Sequence, residues 1–132
     1  MKILLLIFLA VGIGYTVFLS VFNRSSKHIH ILNVDEFEIQ LEVTKEAQII
    51  DVRTHSEFKK RHIAGAKNID YLRVDFRREI NKLDKTKPVM VYCMSGYRSK
   101  MTLPTLRNAG FTTIYELDSG FSGWVKAGKA VE

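Results

Sequence analysis

The sequence predicts an α/β domain built on a mainly parallel sheet, preceded by an N-terminal transmembrane helix. Three observations carry that prediction. Short β-rich runs alternate with segments whose apolar residues recur every three or four positions, the pattern that helices crossing over between parallel strands produce. The run Val89–Tyr92, directly after Lys87-Pro88, is short, wholly apolar and β-branched enough to be a buried strand, and it stops at the only cysteine, Cys93. From Ile3 to Phe22 no residue is charged, and about 20 apolar residues of helix are needed to cross a hydrocarbon core.

In chain order, residues 1–23 are assigned as the anchor, 24–30 as a polar linker and 31–132 as the folded domain. Gly12, Gly14, Tyr15, Thr16 and Ser20 do not disqualify the anchor, because glycine is tolerated in spanning helices. No small-x-small cleavage site is evident around Ser20–Ser25, which favours an uncleaved anchor over a secretory signal. Ile29–Leu32 is a candidate first strand. Asn33 and Glu36 have capping-box spacing, with Val34, Phe37 and Leu41 along one side of the helix that follows. Ala47–Val52 reads as a second strand that ends in Asp51 and Arg53. His55–Lys60 reads as a short helix, Gly65 as a turn and Ala66–Ile69 as a strand. Leu72, Phe76, Ile80 and Leu83 predict an amphipathic helix over Tyr71–Leu83.

After Cys93 the chain makes a short loop, and Ser99 is the expected N-cap of a helix running to Ala109 and closing at Gly110. Pro104 conflicts with that helix, since an interior proline kinks it or costs about 3 kcal/mol. Phe111–Leu117 is expected as the last strand, followed by a turn and a short helix within Gly120–Gly128 that anchors Trp124 in the core. A loop curled around Cys93 aims backbone N–H groups and the positive end of a helix at the sulfur, and Arg98 adds charge; both favour a thiolate, the nucleophilic form. Gly96 suits the tight turn such a loop requires.

One cysteine excludes an intramolecular disulfide and a cysteine-cluster metal site. The net charge of +6 includes Lys2, Arg24 and Lys27, all before Ile29. The clusters Lys59-Lys60-Arg61 and Arg77-Arg78 fit solvated helix faces, and no basic run interleaved with aromatics points to nucleic acid. His28 and His30 make a poor metal site by themselves. Asp51 and Arg53, at the carboxyl end of a strand, are expected to shape the loop, with a contact to an acid such as Glu57, and His62 is expected to be a partly buried, hydrogen-bonded residue.

The run Cys93-Met94-Ser95-Gly96-Tyr97-Arg98-Ser99 matches a Cys-x-x-Gly-x-Arg-Ser loop, and with it the sequence resembles the rhodanese family of sulfurtransferases. Ile50-Asp51-Val52-Arg53, Glu57-Phe58, His62-Ile63, Gly65-Ala66 and Asn68-Ile69 are similar to a second family stretch, and Gly120 to Trp124 to its closing turn. Arg61 stands where the family usually has glycine. The resemblance implies a three-layer sandwich and a sulfurtransferase that moves sulfane sulfur from thiosulfate or a persulfide to a thiol or cyanide through a Cys93 persulfide, without metal or organic cofactor. It implies that Met94, Ser95, Gly96, Tyr97, Arg98 and Ser99 bind substrate, with Asp51 and Arg53 in support. The expected form is a monomer, single-pass in the membrane through residues 3–22. Its charge flanks are nearly balanced, and a persulfide is better preserved in a reducing compartment, which favours the cytoplasmic face. Two alternatives stay open: a membrane-tethered redox-sensing or interaction module with little turnover, and a phosphatase or arsenate reductase. The second is disfavoured because such loops resemble Cys-x5-Arg, whereas four residues separate Cys93 from Arg98.

Overall fold

The computed structural model describes residues 12–15 and 28–132. Five strands, β1 (His28–Leu32), β2 (Gln48–Asp51), β3 (Lys67–Asn68), β4 (Val89–Tyr92) and β5 (Thr113–Leu117), form one sheet in the order β1-β5-β4-β2-β3. Every pairing in it is parallel. Five helices alternate with the strands: α1 (Val34–Val43), α2 (His55–Lys60), α3 (Phe76–Asn81), α4 (Tyr97–Ala109) and α5 (Gly120–Lys126).

β4 sits between β5 and β2 and shows why this is a three-layer structure. All four of its residues are buried, and alternate ones leave on opposite faces. Val89, Val91 and then Cys93 join Ile50, Ile114, Phe76 of α3, Ile80 of α3 and Leu106 of α4 in one apolar cluster. Met90 and Tyr92 join Phe37 of α1, Phe121 and Trp124 of α5 and Leu117 in the other. The sheet is therefore covered by α3 and α4 on one side and by α1 and α5 on the other. Trp124 is an anchor of that second core, its indole N–H donating to the Ala130 carbonyl at 2.9 Å.

The Asn33–Glu36 capping box forms, both reciprocal bonds measuring 2.9 Å. A second box, Thr54 with Glu57, opens α2. Gly65 turns the chain at a φ of +80°, as a residue with no Cβ can. Three expectations are corrected. The helix over Tyr71–Leu83 is confined to α3, because the Tyr71 N–H is drawn to the Val52 carbonyl at 3.1 Å and Asp70 Oδ1 accepts from the Leu72 amide at 2.9 Å, which fixes turns there instead. Leu72, placed on the core face by its spacing, is 68% exposed. The first strand expected over Ile29–Leu32 forms and starts one residue earlier, at His28, so the linker assigned to 24–30 overlaps β1.

The third correction concerns α4. It begins at Tyr97 behind Gly96, whose φ is 93°, so Ser99 lies inside the first turn and does not cap it. Pro104 is inside the helix. It is exposed, so the Lys100 carbonyl deprived of an amide partner can face water, and α4 tolerates it for that reason. The anchor expected over residues 3–22 lies outside the described residues apart from 12–15, which are helical. Among the described residues no helix is long and apolar enough to cross a membrane.

Candidate active site

The carboxyl ends of β4, β2 and β5 meet at one edge of the sheet, and Cys93 follows the last residue of β4 there. The thiol is 1% exposed. Two donors reach Sγ: the Gly96 amide at 3.1 Å and the Ser99 hydroxyl at 3.4 Å. The expected fan of loop amides is thus narrower than the sequence suggested, with Gly96 the backbone donor on the sulfur among the described residues. Gly96 is required twice over, by its positive φ and because a Cβ would overlap the Asp118 carbonyl.

The loop is clasped from three sides. The first turn of α5 donates Phe121 N–H to the Cys93 carbonyl at 2.7 Å and Ser122 N–H to the Met94 carbonyl at 2.9 Å. Gly120 permits that approach, since a Cβ on it would lie 2.6 Å from Met94 backbone atoms. From α2, Glu57 binds Arg98 in a two-pronged pair at 2.9 and 3.0 Å. The Arg98 hydrogen bond, helped by two bonds from Thr54, holds the Glu57 carboxyl down at about 2 against an ordinary 4.5. Arg98 therefore orders the loop, and much of its charge is answered by Glu57 before it reaches the sulfur.

Asp51 and Arg53 form a buried pair at 2.6 Å. Asp51 also accepts from the Arg53 backbone N–H at 2.9 Å, and Arg53 Nη2 donates to the Arg61 carbonyl at 2.8 Å. The guanidinium lies over Phe121, 4.1 Å from the ring centroid. Burial works against the charge of Arg53, and Asp51 outweighs it, so the guanidinium is held charged. The acid that Arg53 contacts is Asp51, not Glu57, which pairs with Arg98 instead. Arg61 is extended, with φ −160°, so no glycine is needed at this position. His62 stacks on Phe58 at 3.9 Å and its Nδ1 lies 3.0 Å from the Phe58 carbonyl, a structural role.

Of the remaining loop residues Met94 is half-buried, Ser95 is exposed and Tyr97 is 73% exposed, which puts them at the rim. A groove of about 210 Å³ beside them is lined by Arg53, Glu57, Lys60, Arg61, Met94 and Phe121. Among the described residues no group of three or more His, Cys, Asp or Glu side chains is placed to hold a metal ion. Sequence reasoning missed Glu116 of β5, which is fully buried and 2.5 Å from Ser99 Oγ, and Lys100, whose Nζ is 3.3 Å from Glu116 Oε2 and 2.6 Å from Asp118. The signal was present in Thr113-Ile-Tyr-Glu-Leu: the alternation puts Glu116 on the same face as Ile114, where an acid has no bland reason to be.

Fold and site together define a class, a parallel α/β sandwich whose sole thiol follows the central strand inside a hydrogen-bonded loop. The chain belongs to the rhodanese family: the sequence model of the rhodanese-like domain matches residues 33–127. Thiosulfate sulfurtransferase GlpE of Shewanella oneidensis is 32% identical over 103 residues, covering 78% of this chain and 96% of that protein. YqhL of Bacillus subtilis, described only as uncharacterized, is 42% identical over 80 residues, 61% of this chain and 62% of that protein, so the chain spans less than two thirds of that relative. Among solved structures, the rhodanese-like domain of the Alr3790 protein from Anabaena superposes with a TM-score of 0.68 at 26% identity, covering 77% of each chain. A rhodanese-related protein from Thermoplasma volcanium gives the same TM-score at 24% identity over 78% of this chain and 97% of that one, a likeness of fold.

Proposed function

We propose that the protein is a sulfurtransferase that carries sulfane sulfur as a persulfide on Cys93. The observation that carries the reading is the pair of donors, Gly96 N–H and Ser99 O–H, converging on a thiol at the mouth of the parallel sheet. The relatives named thiosulfate sulfurtransferase support the reaction type. The Cys93 thiolate attacks the outer sulfur of thiosulfate; the S–S bond of the donor breaks and sulfite leaves with its electron pair. A thiol or cyanide then attacks the outer sulfur of the persulfide, and Cys93 is released as thiolate. Both steps move a negative charge onto sulfur, where preset donors lower the barrier. Met94, Ser95 and Tyr97 form the rim that meets the donor, Gly96 and Ser99 hold the anionic sulfur, and Arg98 fixes the loop through Glu57. Asp51 and Arg53 support the floor.

The same proposal places the domain on the cytoplasmic face of a membrane, as a monomer held by residues 1–23. Its support is the uncharged run from Ile3 to Phe22. Retention of the full chain in carbonate-washed membranes, with release of a form beginning at residue 24, is the expected outcome; equal release of both removes the anchor from the proposal.

Intact-mass measurement of the full chain after incubation with thiosulfate tests the chemistry. The expected result is a gain of one sulfur atom, reversed by a thiol reductant and absent from Cys93→Ala. No gain overturns the reading. The near-complete burial of Cys93 fits slow turnover and so favours one competing reading, a module with little turnover, in its interaction form more than its redox-sensing form, since a sensing thiol has to be reached by the oxidant; thiocyanate formation from thiosulfate and cyanide well above background, lost in Cys93→Ala, decides against it.

A further inference from the structure

We propose that Glu116 is a positioning residue that receives the Cys93 proton through Ser99 when the sulfur attacks its donor. The inference rests on the persulfide reading and adds to it the destination of the thiol proton. Glu116 and Ser99 are both fully buried, and the thiol is nearly so. Ser99 Oγ stands between the other two, 2.5 Å from Glu116 Oε1 and 3.4 Å from Cys93 Sγ. A hydroxyl has one hydrogen and cannot donate to both neighbours at once. With Glu116 ionised, that hydrogen belongs to the carboxylate, and Ser99 turns a lone pair to the thiol. With Glu116 protonated, the carboxyl donates to Ser99, and Ser99 donates to an anionic sulfur.

The two arrangements differ by one concerted shift. The Sγ proton passes to Ser99 Oγ, the Ser99 hydrogen passes to Glu116 Oε1, and Sγ forms its bond to the outer sulfur of thiosulfate as sulfite leaves. The charge of the three side chains together stays at minus one throughout, and no proton enters or leaves the site. A sealed thiol has no water at hand to take its proton, so an internal acceptor suits it.

The surroundings of Glu116 fit the role. Its Oε2 makes no hydrogen bond of good geometry, so part of the carboxylate is left unrewarded in the interior. Lys100 of α4 is the cation facing it, at 3.3 Å, and Lys100 is itself drawn to Asp118 at 2.6 Å. Asp118, just past β5, adds like charge. The β1 and β4 partners in register are Ile31 and Val91, both apolar. His30 of β1 stacks on Tyr115, and Phe37 of α1 lies in the other core, both across the sheet from Glu116. Burial pushes the Glu116 carboxyl up, against the pull of Ser99 and Lys100, which makes it a better proton acceptor than an exposed carboxylate.

The test compares the full chain with Glu116→Gln and Ser99→Ala, following persulfide formation from thiosulfate by intact mass and Cys93 alkylation by iodoacetamide, from pH 6 to pH 8. Gln keeps a hydrogen bond to Ser99 but cannot take a proton, and a merely structural role changes rates without changing their pH dependence. The expected rate for the unaltered chain is nearly flat with pH, while both variants, which must release the proton to solvent, rise about tenfold per pH unit. Flat profiles in both variants, or equal losses at every pH, overturn the relay. Absence of sulfur uptake by the unaltered chain instead removes the sulfurtransferase reading, and the alkylation profiles still decide the relay.

Discussion

Substituting Glu57 with Gln should loosen the cysteine loop by an amount set by its pairing with Arg98. Glu57 is held at about 2 against 4.5 for the free side chain, a gap that corresponds to about 3 kcal/mol if all of it favoured the fold. Arg98 and Glu57 keep 22% and 28% of their side-chain surface exposed, and solvent screening reduces the contribution to about 1–2 kcal/mol. A carboxyl held below its unfolded value favours the fold only when ionised. The contribution is therefore complete above pH 4.5, shrinks as the pH falls and is gone below about 2. Urea denaturation of the full chain and of Glu57→Gln, run at pH 7, 5 and 3, should show a difference that is largest at pH 7 and smaller at pH 3. The m-values should be unchanged. Sulfur uptake should slow in the variant, because the loop carrying Gly96 and Ser99 is no longer tied to α2. A stability difference that stays constant with pH, or none at pH 7, would refute the argument that this ion pair sets the loop.

Three further substitutions separate the remaining supports. Gly120→Ala forces a Cβ to within 2.6 Å of Met94 backbone atoms at a φ of +62° and should cost at least about 2 kcal/mol, seen as a lower urea midpoint together with lost sulfur uptake. Asp51→Asn leaves the Arg53 guanidinium buried with its partner's charge removed and should destabilise by about 3–5 kcal/mol, measured in the same way. Pro104→Ala restores an amide to the exposed face of α4; the helix gain, offset by the freer unfolded chain, should leave a net stabilisation of about 1–2 kcal/mol with uptake unchanged.

Where information is local, the sequence carried it. The Asn33–Glu36 box, the all-apolar β4, the turn at Gly65 and the core anchor Trp124 are each decided within a few residues, and each was legible. The misreadings arose where distant groups competed for a local one. Ser99 has the chemistry of an N-cap, but two buried partners, Cys93 and Glu116, take its hydroxyl, and Gly96 opens α4 through its backbone conformation instead. The spacing of Leu72 with Phe76 is helical, yet the Val52 carbonyl captures the Tyr71 amide and holds the chain in turns. Nothing near Glu57 in sequence reveals that its partner lies 41 residues away.

These distant ties also explain why the seven-residue loop is not by itself the site. An isolated Cys93–Ser99 segment has no means of keeping the Gly96 amide on the sulfur, because ordering each residue costs about 1–2 kcal/mol of backbone entropy and the loop contains few bonds to offset it. The ordering comes from outside: α5 fixes the carbonyls of Cys93 and Met94, α2 fixes Arg98, and β5 fixes Ser99 from 17 residues away. Each tie acts on a different atom of the loop, so each should fail differently. Breaking the α5 contact moves the backbone beneath the sulfur, and breaking the Glu57 contact frees the outer rim. Glu116→Gln keeps the bond that ties Ser99 to β5 and takes away only the proton acceptor, so its signature is a pH slope and not a loss of stability. If all three substitutions instead gave the same uniform loss of rate, the loop would be a single cooperative unit and the division of labour argued from these contacts would be wrong.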